Sequence, residues 1–310
     1  MDCASLTSFP LRDIIILLYY YLEYAYMSCR ILNGAPVAAE IDKRTAELTA
    51  RLSARGVMPT LAIVRVGERD SDLAYERAVV RRCGALGICV RLAALTSEAG
   101  QTELMDSVRA LNDDHSVHGI ILLRPLPDGL DALAACAAIS PEKDVDGVCP
   151  SSMARIYSGR GNGFSPCTAQ SCMEIIAHYG VELEGKRVAV LGRSLVVGKP
   201  AAMLLAAANA TVTIFHSRSG DYTPAVRSAD IVVSAVGKPE LFGAEYFSKD
   251  QTVIDIGISW SERKNRFTGD VDFDAAEPIV SAITPVPGGV GSVTTAVLAL
   301  HVAQAAENNT

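Results

Sequence analysis

Residues Gly192 to Pro200 (GRSLVVGKP) stand between an apolar, β-branched run, Arg187 to Leu191 (RVAVL), and an alanine-rich run that opens at Gly198 (GKPAAMLLAAA). The first run has the character of a buried parallel strand and the second that of a tightly packed helix. A strand that turns directly into a helix points backbone N–H groups at an anion, and the helix start adds partial positive charge. Gly192 and Gly198 let the backbone approach a pyrophosphate closely, with Arg193 and Ser194 as polar neighbours. The spacing, G-x-S-x-x-x-G, departs from the common G-x-G-x-x-G. A tight strand-to-helix turn with no ligand would use the same residues.

The following strand sets a preference between dinucleotides. Ala210 to Phe215 (ATVTIF) runs into His216, Ser217, Arg218 and Ser219, and no carboxylate stands where an NAD site holds the ribose 2′-hydroxyl. Arg218, together with Arg193, offers charge-assisted hydrogen bonds to a 2′-phosphate, so the pattern favours NADP over NAD. Two ordinary solvated arginines would look the same.

The chain has 310 residues, long enough for two domains. Its formal charge of −7 gives no general attraction for nucleic acid or anionic lipid, so phosphate binding must be local. The eight cysteines form no C-x-x-C pair, and no histidine spacing suits zinc. That reads as reduced, packed thiols in a cytosolic protein without a metal site, with a reactive Cys149 or Cys167 as the alternative. Residues 1–26 read as an extension outside the core. Asp13 to Tyr26 is apolar but interrupted by Glu23, too short for a bilayer span and followed by no cleavage site, while Met27 opens a natural domain start. A weak membrane or partner anchor is the other reading of that segment.

From Thr60 the pattern alternates between strand (TLAIVRV), helix (Asp72 to Leu86), strand (ICVRLAAL), helix (Glu103 to Asn112) and strand (HGIILL), after a helix from Val37 to Arg55. Connections of this length imply right-handed crossovers and a parallel sheet. A second series, RVAVL, ATVTIF, IVVSAV and TVIDIGI, implies another. A linker and helix from Cys149 to Tyr179 join the two series. Val293 to Ala306 is helical with no strand after it, so it can fold back across the boundary. The expected class is α/β: two domains with parallel sheets, the second Rossmann-like, flanking a cleft.

Five separated strings carry a resemblance: P-E-K-D-V-D-G (Pro141 to Gly147), G-F-S-P-C-T (Gly163 to Thr168), G-R-S-x-x-V-G-K-P, A-V-G-K-P (Ala235 to Pro239) and T-P-V-P-G-G-V-G (Thr284 to Gly291). In this order they resemble the FolD family of methylenetetrahydrofolate dehydrogenase/methenyltetrahydrofolate cyclohydrolases, over about residues 27 to 306. The resemblance implies a folate-binding unit at 27–148, an NADP-binding unit at 149–292 and a C-terminal helix, 293–310, packed back on the first. It implies a homodimer that oxidises 5,10-methylenetetrahydrofolate with NADP in one-carbon metabolism. It also implies that Asp146 holds the pterin edge, where adjacent N–H donors suit an ionised acceptor, and that Tyr75 stacks on the folate rings. By residue type alone, Asp146 could be a turn aspartate before Gly147, and Tyr75 a core tyrosine. The glycine loop with Pro287, Gly288 and Gly289 is implied to lie beside folate and nicotinamide, and Ser217, Gly237 and Ile258 to contact the cofactor.

The sequence departs from that family at the hydrolytic step. Bifunctional members carry a lysine four residues after the tyrosine, one helical turn along, tied to a glutamine on the neighbouring strand. Here the two positions are Val79 and Leu123. A lone glutamine facing valine would be left unsatisfied, whereas replacing both partners is close to neutral. Neither side chain titrates, so neither activates water or moves a proton. The expectation is dehydrogenase activity with weak or absent cyclohydrolase activity. The full bifunctional enzyme is the first alternative, and a catalytically silent folate- or nucleotide-binding module the second. Asp72 in place of a serine, and Ser292-Val293 in place of Pro-Met, are smaller departures.

Overall fold

The computed structural model describes residues 29–309, so the expectation for residues 1–26 lies outside the described residues. The strands in chain order are β1 (Arg30–Ile31), β2 (Thr60–Val66), β3 (Cys89–Leu95), β4 (Gly119–Leu122), β5 (Arg187–Leu191), β6 (Thr211–Phe215), β7 (Ile231–Ser234), β8 (Thr252–Asp255), β9 (Ser259–Ser261), β10 (Arg266–Thr268) and β11 (Ala282–Ile283). They form a three-stranded parallel sheet, β3-β2-β4, a six-stranded parallel sheet, β1-β11-β8-β7-β5-β6, and a β9–β10 hairpin. The α/β class expected from the sequence is what the chain adopts.

Burial follows the patterning. β2, apolar at all but Thr60 and Arg65, is central in the small sheet and buried at every residue, whereas β3 is an edge strand with exposed and covered residues interspersed. The Gly34–Ala54 helix buries Val37, Ala38, Ile41, Leu48 and Leu52 along one stripe at helical spacing. The Val290–Asn308 helix is apolar round most of its circumference and accordingly buried on nearly all sides. It packs mainly on the Gly34–Ala54 and Cys167–His178 helices, with further contact to β4.

Three features were not visible in the sequence pattern. β1 pairs with β11 in the large sheet, so residues 30–31 leave the unit to which 27–148 had been assigned. Two-residue strands show no periodicity that would allot them to a sheet. The TVIDIGI run stops being strand at Asp255, because that side chain accepts the Gly257 amide at 3.0 Å and bends the chain out of the ladder. The β9–β10 hairpin places Trp260 opposite Phe267, their rings edge-to-face at 5.3 Å.

Candidate active site

The large sheet runs outward from β5 to β6 on one side and continues through β7 on the other. The carboxyl end of β5 is therefore the topological switch point, where ligands bind in open α/β sheets. A cavity of about 270 Å³ opens there, lined by Gly192, Arg193 and Ser194 after β5, by His216 and Ser217 after β6, and by Val236 and Lys238 after β7. Gly198, Arg218, Gly237 and Ile258 stand outside this lining. Gly198 is buried at the start of the Gly198–Ala207 helix, Arg218 and Gly237 are exposed on neighbouring turns, and Ile258 is 57 % exposed past the end of β8.

The glycines of the cradle serve the backbone before they serve a ligand. Gly192 has φ +114°, and a Cβ there would lie 2.3 Å from the Ala235 carbonyl oxygen; one on Gly198 would lie 2.3 Å from the Gly192 oxygen. The donors differ from the simple helix-start expectation. Ser194 Oγ accepts the amides of Val197 (3.1 Å) and Gly198 (3.3 Å), and the Lys199 amide donates to the Ser194 carbonyl at 3.1 Å. The amides that open the Gly198–Ala207 helix are thus already engaged by Ser194. Arg193, Lys238 and Arg218 have no ion-pair partner among the described residues, which suits a phosphorylated nucleotide.

At the small sheet, the end of β4 runs into Leu123 and Arg124, and the K-D-V-D-G turn packs beside it. The first two residues of that motif are structural. Lys143 Nζ donates to three carbonyls, those of Leu111, Asn112 and Asp114, at 2.6–3.1 Å, and the buried Asp144 carboxylate accepts from the amides of Val148 and Cys149 and from Ser152 Oγ. Gly147, at φ +69°, lets the turn lie against Ser165 and Pro166, where a Cβ would come within 2.5 Å. Asp146, by contrast, turns its carboxylate toward Arg124, with its side chain 18 % exposed.

Tyr75, on the Asp70–Ala85 helix, is half-buried against the same apolar cluster that holds Val79, Cys83, Leu123, Val145 and Cys167. Burial, and then the nearby Asp146 charge, holds its phenol well above the usual range. The Asp146 carboxyl is itself pushed up to about 6 by burial, with the Arg124 guanidinium pulling the other way. Arg124 Nη2 donates to Asp146 Oδ2 at 3.1 Å. No spacing in the sequence signals this ion pair, whose partners lie 22 residues apart.

Val79 is 1 % exposed and Leu123 6 %, both within one continuous apolar cluster. Cys149 and Cys167 are buried, and burial raises both thiols, Cys167 well above its usual range, so neither has the lowered pKa of a reactive cysteine. His301, against Cys167 Sγ at 3.7 Å and the Val145 carbonyl at 2.9 Å, is held neutral, its pKa lowered by burial to about 4. The glycine loop follows β11: the Gly34 amide donates to the Gly288 carbonyl at 2.8 Å, and Gly288 has φ +105°. A Cβ on Gly289 would lie 2.5 Å from the Pro285 oxygen, so this glycine is required by the loop's own fold.

Residues 32–146 match the family model described as tetrahydrofolate dehydrogenase/cyclohydrolase, catalytic domain, and residues 166–310 match that family's NAD(P)-binding domain. The chain belongs to the FolD family. Among curated members, the bifunctional protein FolD of Alkaliphilus oremlandii is 42 % identical over 275 residues, covering 89 % of this chain and 96 % of that one. That of Clostridioides difficile is 43 % identical over 276 residues, with the same coverage of 89 % and 96 %. The FolD structure from Campylobacter jejuni superposes with a TM-score of 0.88 at 33 % identity, covering 91 % of this chain and all of the other. The Trypanosoma brucei FolD, solved with NADP and an inhibitor, gives 0.84 at 36 % identity, covering 90 % and 98 %. The family resemblance read from the five strings is thereby established, as is the NAD(P)-binding nature of the large-sheet half. In the FolD frame, the C-terminal helix falls inside the span of the NAD(P)-binding model yet packs largely on the opposite half of the molecule.

Proposed function

We propose that this chain oxidises 5,10-methylenetetrahydrofolate to 5,10-methenyltetrahydrofolate with NADP, the pterin held by Asp146 and stacked on Tyr75. The observation that carries the reading is the placement of Tyr75 and Asp146 together at the end of the small sheet, with the Asp146 carboxylate turned out of a turn that Lys143 and Asp144 hold in place. Family membership gives the fold, and this geometry supports the two residues as the pair that holds the pterin. Bound nicotinamide would supply the hydride acceptor. The folate nitrogens already drive hydride departure, so the protein's part is to orient the ring, exclude water from its apolar face and keep Asp146 as an acceptor. The loop at Pro287, Gly288 and Gly289, tied to Gly34, is the segment we place beside both ligands, and Gly192, Arg193, Ser194, Gly198, Ser217, Arg218, Gly237 and Ile258 are the positions we assign to the nucleotide.

The hydrolytic step divides two readings. The curated relatives, named bifunctional at 40–43 % identity, favour an enzyme with both activities. The buried aliphatic pair Val79 and Leu123 supports a dehydrogenase whose methenyl product leaves unhydrolysed. Decay of supplied methenyltetrahydrofolate, compared with its spontaneous rate at the same pH, separates them: decay well above background establishes the bifunctional enzyme. Reduced-cofactor absorbance on mixing protein, methylenetetrahydrofolate and NADP tests the dehydrogenase, and no signal at substrate-level protein would leave only a silent binding module. Family resemblance also supports a homodimer, which sedimentation measures, and the unpaired buried thiols support a cytosolic protein. Among the described residues, no helix is long and apolar enough to cross a membrane.

A further inference from the structure

Among the described residues, Arg124 is the one cation ion-paired with the carboxylate assigned to the pterin. Its guanidinium offers five N–H donors in a planar fork, and one of them, on Nη2, is engaged by Asp146 Oδ2 at 3.1 Å. Arg124 Nε is fully buried and has no hydrogen-bond partner among the described residues, a state it shares only with Thr268 Oγ1 on the β9–β10 hairpin. Buried polar groups are almost always paired, so an orphaned N–H on a charged group calls for an explanation. The side chain is 26 % exposed and Asp146 18 %, so the pair reaches the surface of the site and is not sealed within the core. Since the guanidinium is held at a single point, a small rotation that offers Nε–H or a second Nη–H to a ligand breaks no other bond.

We propose that Arg124 is a specificity-determining residue, which with Asp146 reads a 4-oxo pteridine edge. The proposal rests on the folate reading above and goes beyond it. An ionised aspartate only accepts: it pairs with the 2-amino and N3–H donors of a 4-oxo pterin, and in a 4-amino pteridine, whose N3 carries no hydrogen, it keeps only amino donors, while the C4 substituent itself is left unread. An arginine beside it presents a donor next to the acceptor. That pattern complements adjacent N3–H and C4=O groups, and it opposes a 4-amino pteridine, whose C4 substituent donates toward the guanidinium. A site built to hydrogen-bond a ligand group rejects the analogue that cannot pair, because its own charged donor is then left unsatisfied.

Calorimetric titration with tetrahydrofolate and with its 4-amino analogue, identical elsewhere, tests this on the full chain. The wild type is expected to favour the 4-oxo ligand by about 10- to 100-fold, the range for a hydrogen bond to a charged group. Arg124→Leu is expected to lower the ratio by about tenfold, toward the preference that Asp146 alone retains, while NADP binding is kept; where that variant is unstable, Arg124→Met serves, since it too fills the space without donating. A merely structural role for Arg124 weakens both ligands together and leaves the ratio unchanged, which overturns the proposal. So does a wild type that binds both ligands alike. Failure of the wild type to bind either ligand overturns the folate reading itself, and is distinguishable because no ratio is then measurable.

Discussion

Restoring the polar pair at positions 79 and 123 tests how a dry site is held together. Val79→Lys alone puts an amine into a position 1 % exposed, within the apolar cluster that also holds Val145, Cys83 and Leu123. Burial of this degree drops a lysine pKa by up to about 3–5 units, so the amine enters neutral at pH 7. Deprotonating a group of pKa ~10.4 at pH 7 costs about 4–5 kcal/mol at ~1.36 kcal/mol per unit. Leu123→Gln alone strands an amide and loses a leucine's packing, together about 2–5 kcal/mol. The double variant gives the neutral amine an amide partner, and a hydrogen bond between neutral groups returns about 0.5–1.5 kcal/mol. Urea unfolding of the four proteins should therefore show a favourable coupling of that size. In parallel, methenyltetrahydrofolate decay should rise above the spontaneous rate in the double variant more than in either single one. Unfolding energies that add within about 0.5 kcal/mol, with no gain in hydrolysis, would show that the two positions do not meet and refute the reasoning.

Three further outcomes are expected. Arg193→Ala with Arg218→Ala should raise KM for NADP by about 10- to 100-fold and leave KM for NAD within about threefold, since only the 2′-phosphate loses charge-assisted partners; steady-state kinetics with both cofactors checks it. Gly34→Ala would set a Cβ 2.2 Å from both the Gly289 oxygen and Ser292 Oγ, so the glycine loop must shift; a loss of about 1–3 kcal/mol in urea and a raised folate KM should follow. His301, lowered from 6.5 to about 4, remains neutral in the folded chain while the unfolded chain takes up a proton, so stability is lost as pH falls from 6.5 toward 4. Unfolding curves across that window should fall less steeply in His301→Gln, by up to about 3 kcal/mol at the acid end. The difference between the two proteins isolates this histidine from Asp146 and Asp255, whose raised carboxyls act with the opposite sign.

Both sheets and their helices were legible because long apolar runs with one period admit few alternatives. β2 and β5 could not be exposed strands, and the Gly34–Ala54 stripe could only be one face of a helix. What the pattern could not show was geometry that depends on where a chain goes next. Gly192 looked like a ligand contact, but its missing side chain first makes room for the carbonyl of Ala235, 43 positions away and just past the end of β7. Lys143 and Asp144 looked like neighbours of a functional carboxylate and are instead the fastenings that hold its turn. Arg124 follows β4 directly, and only the packing of the Asp146 turn beside that strand end brings their charges to 3.1 Å.

The helix that ends the chain, Val290–Asn308, packs against the first helix, Gly34–Ala54, and reaches the small sheet as well. A polypeptide cut after residue 146 would therefore present that face bare to water, and a ribosome that has finished the small sheet has not yet made the piece that seals it. Closure of the small-sheet half must wait for the Val290–Asn308 helix, which is made after the whole large sheet, so the two halves are not sealed one after the other.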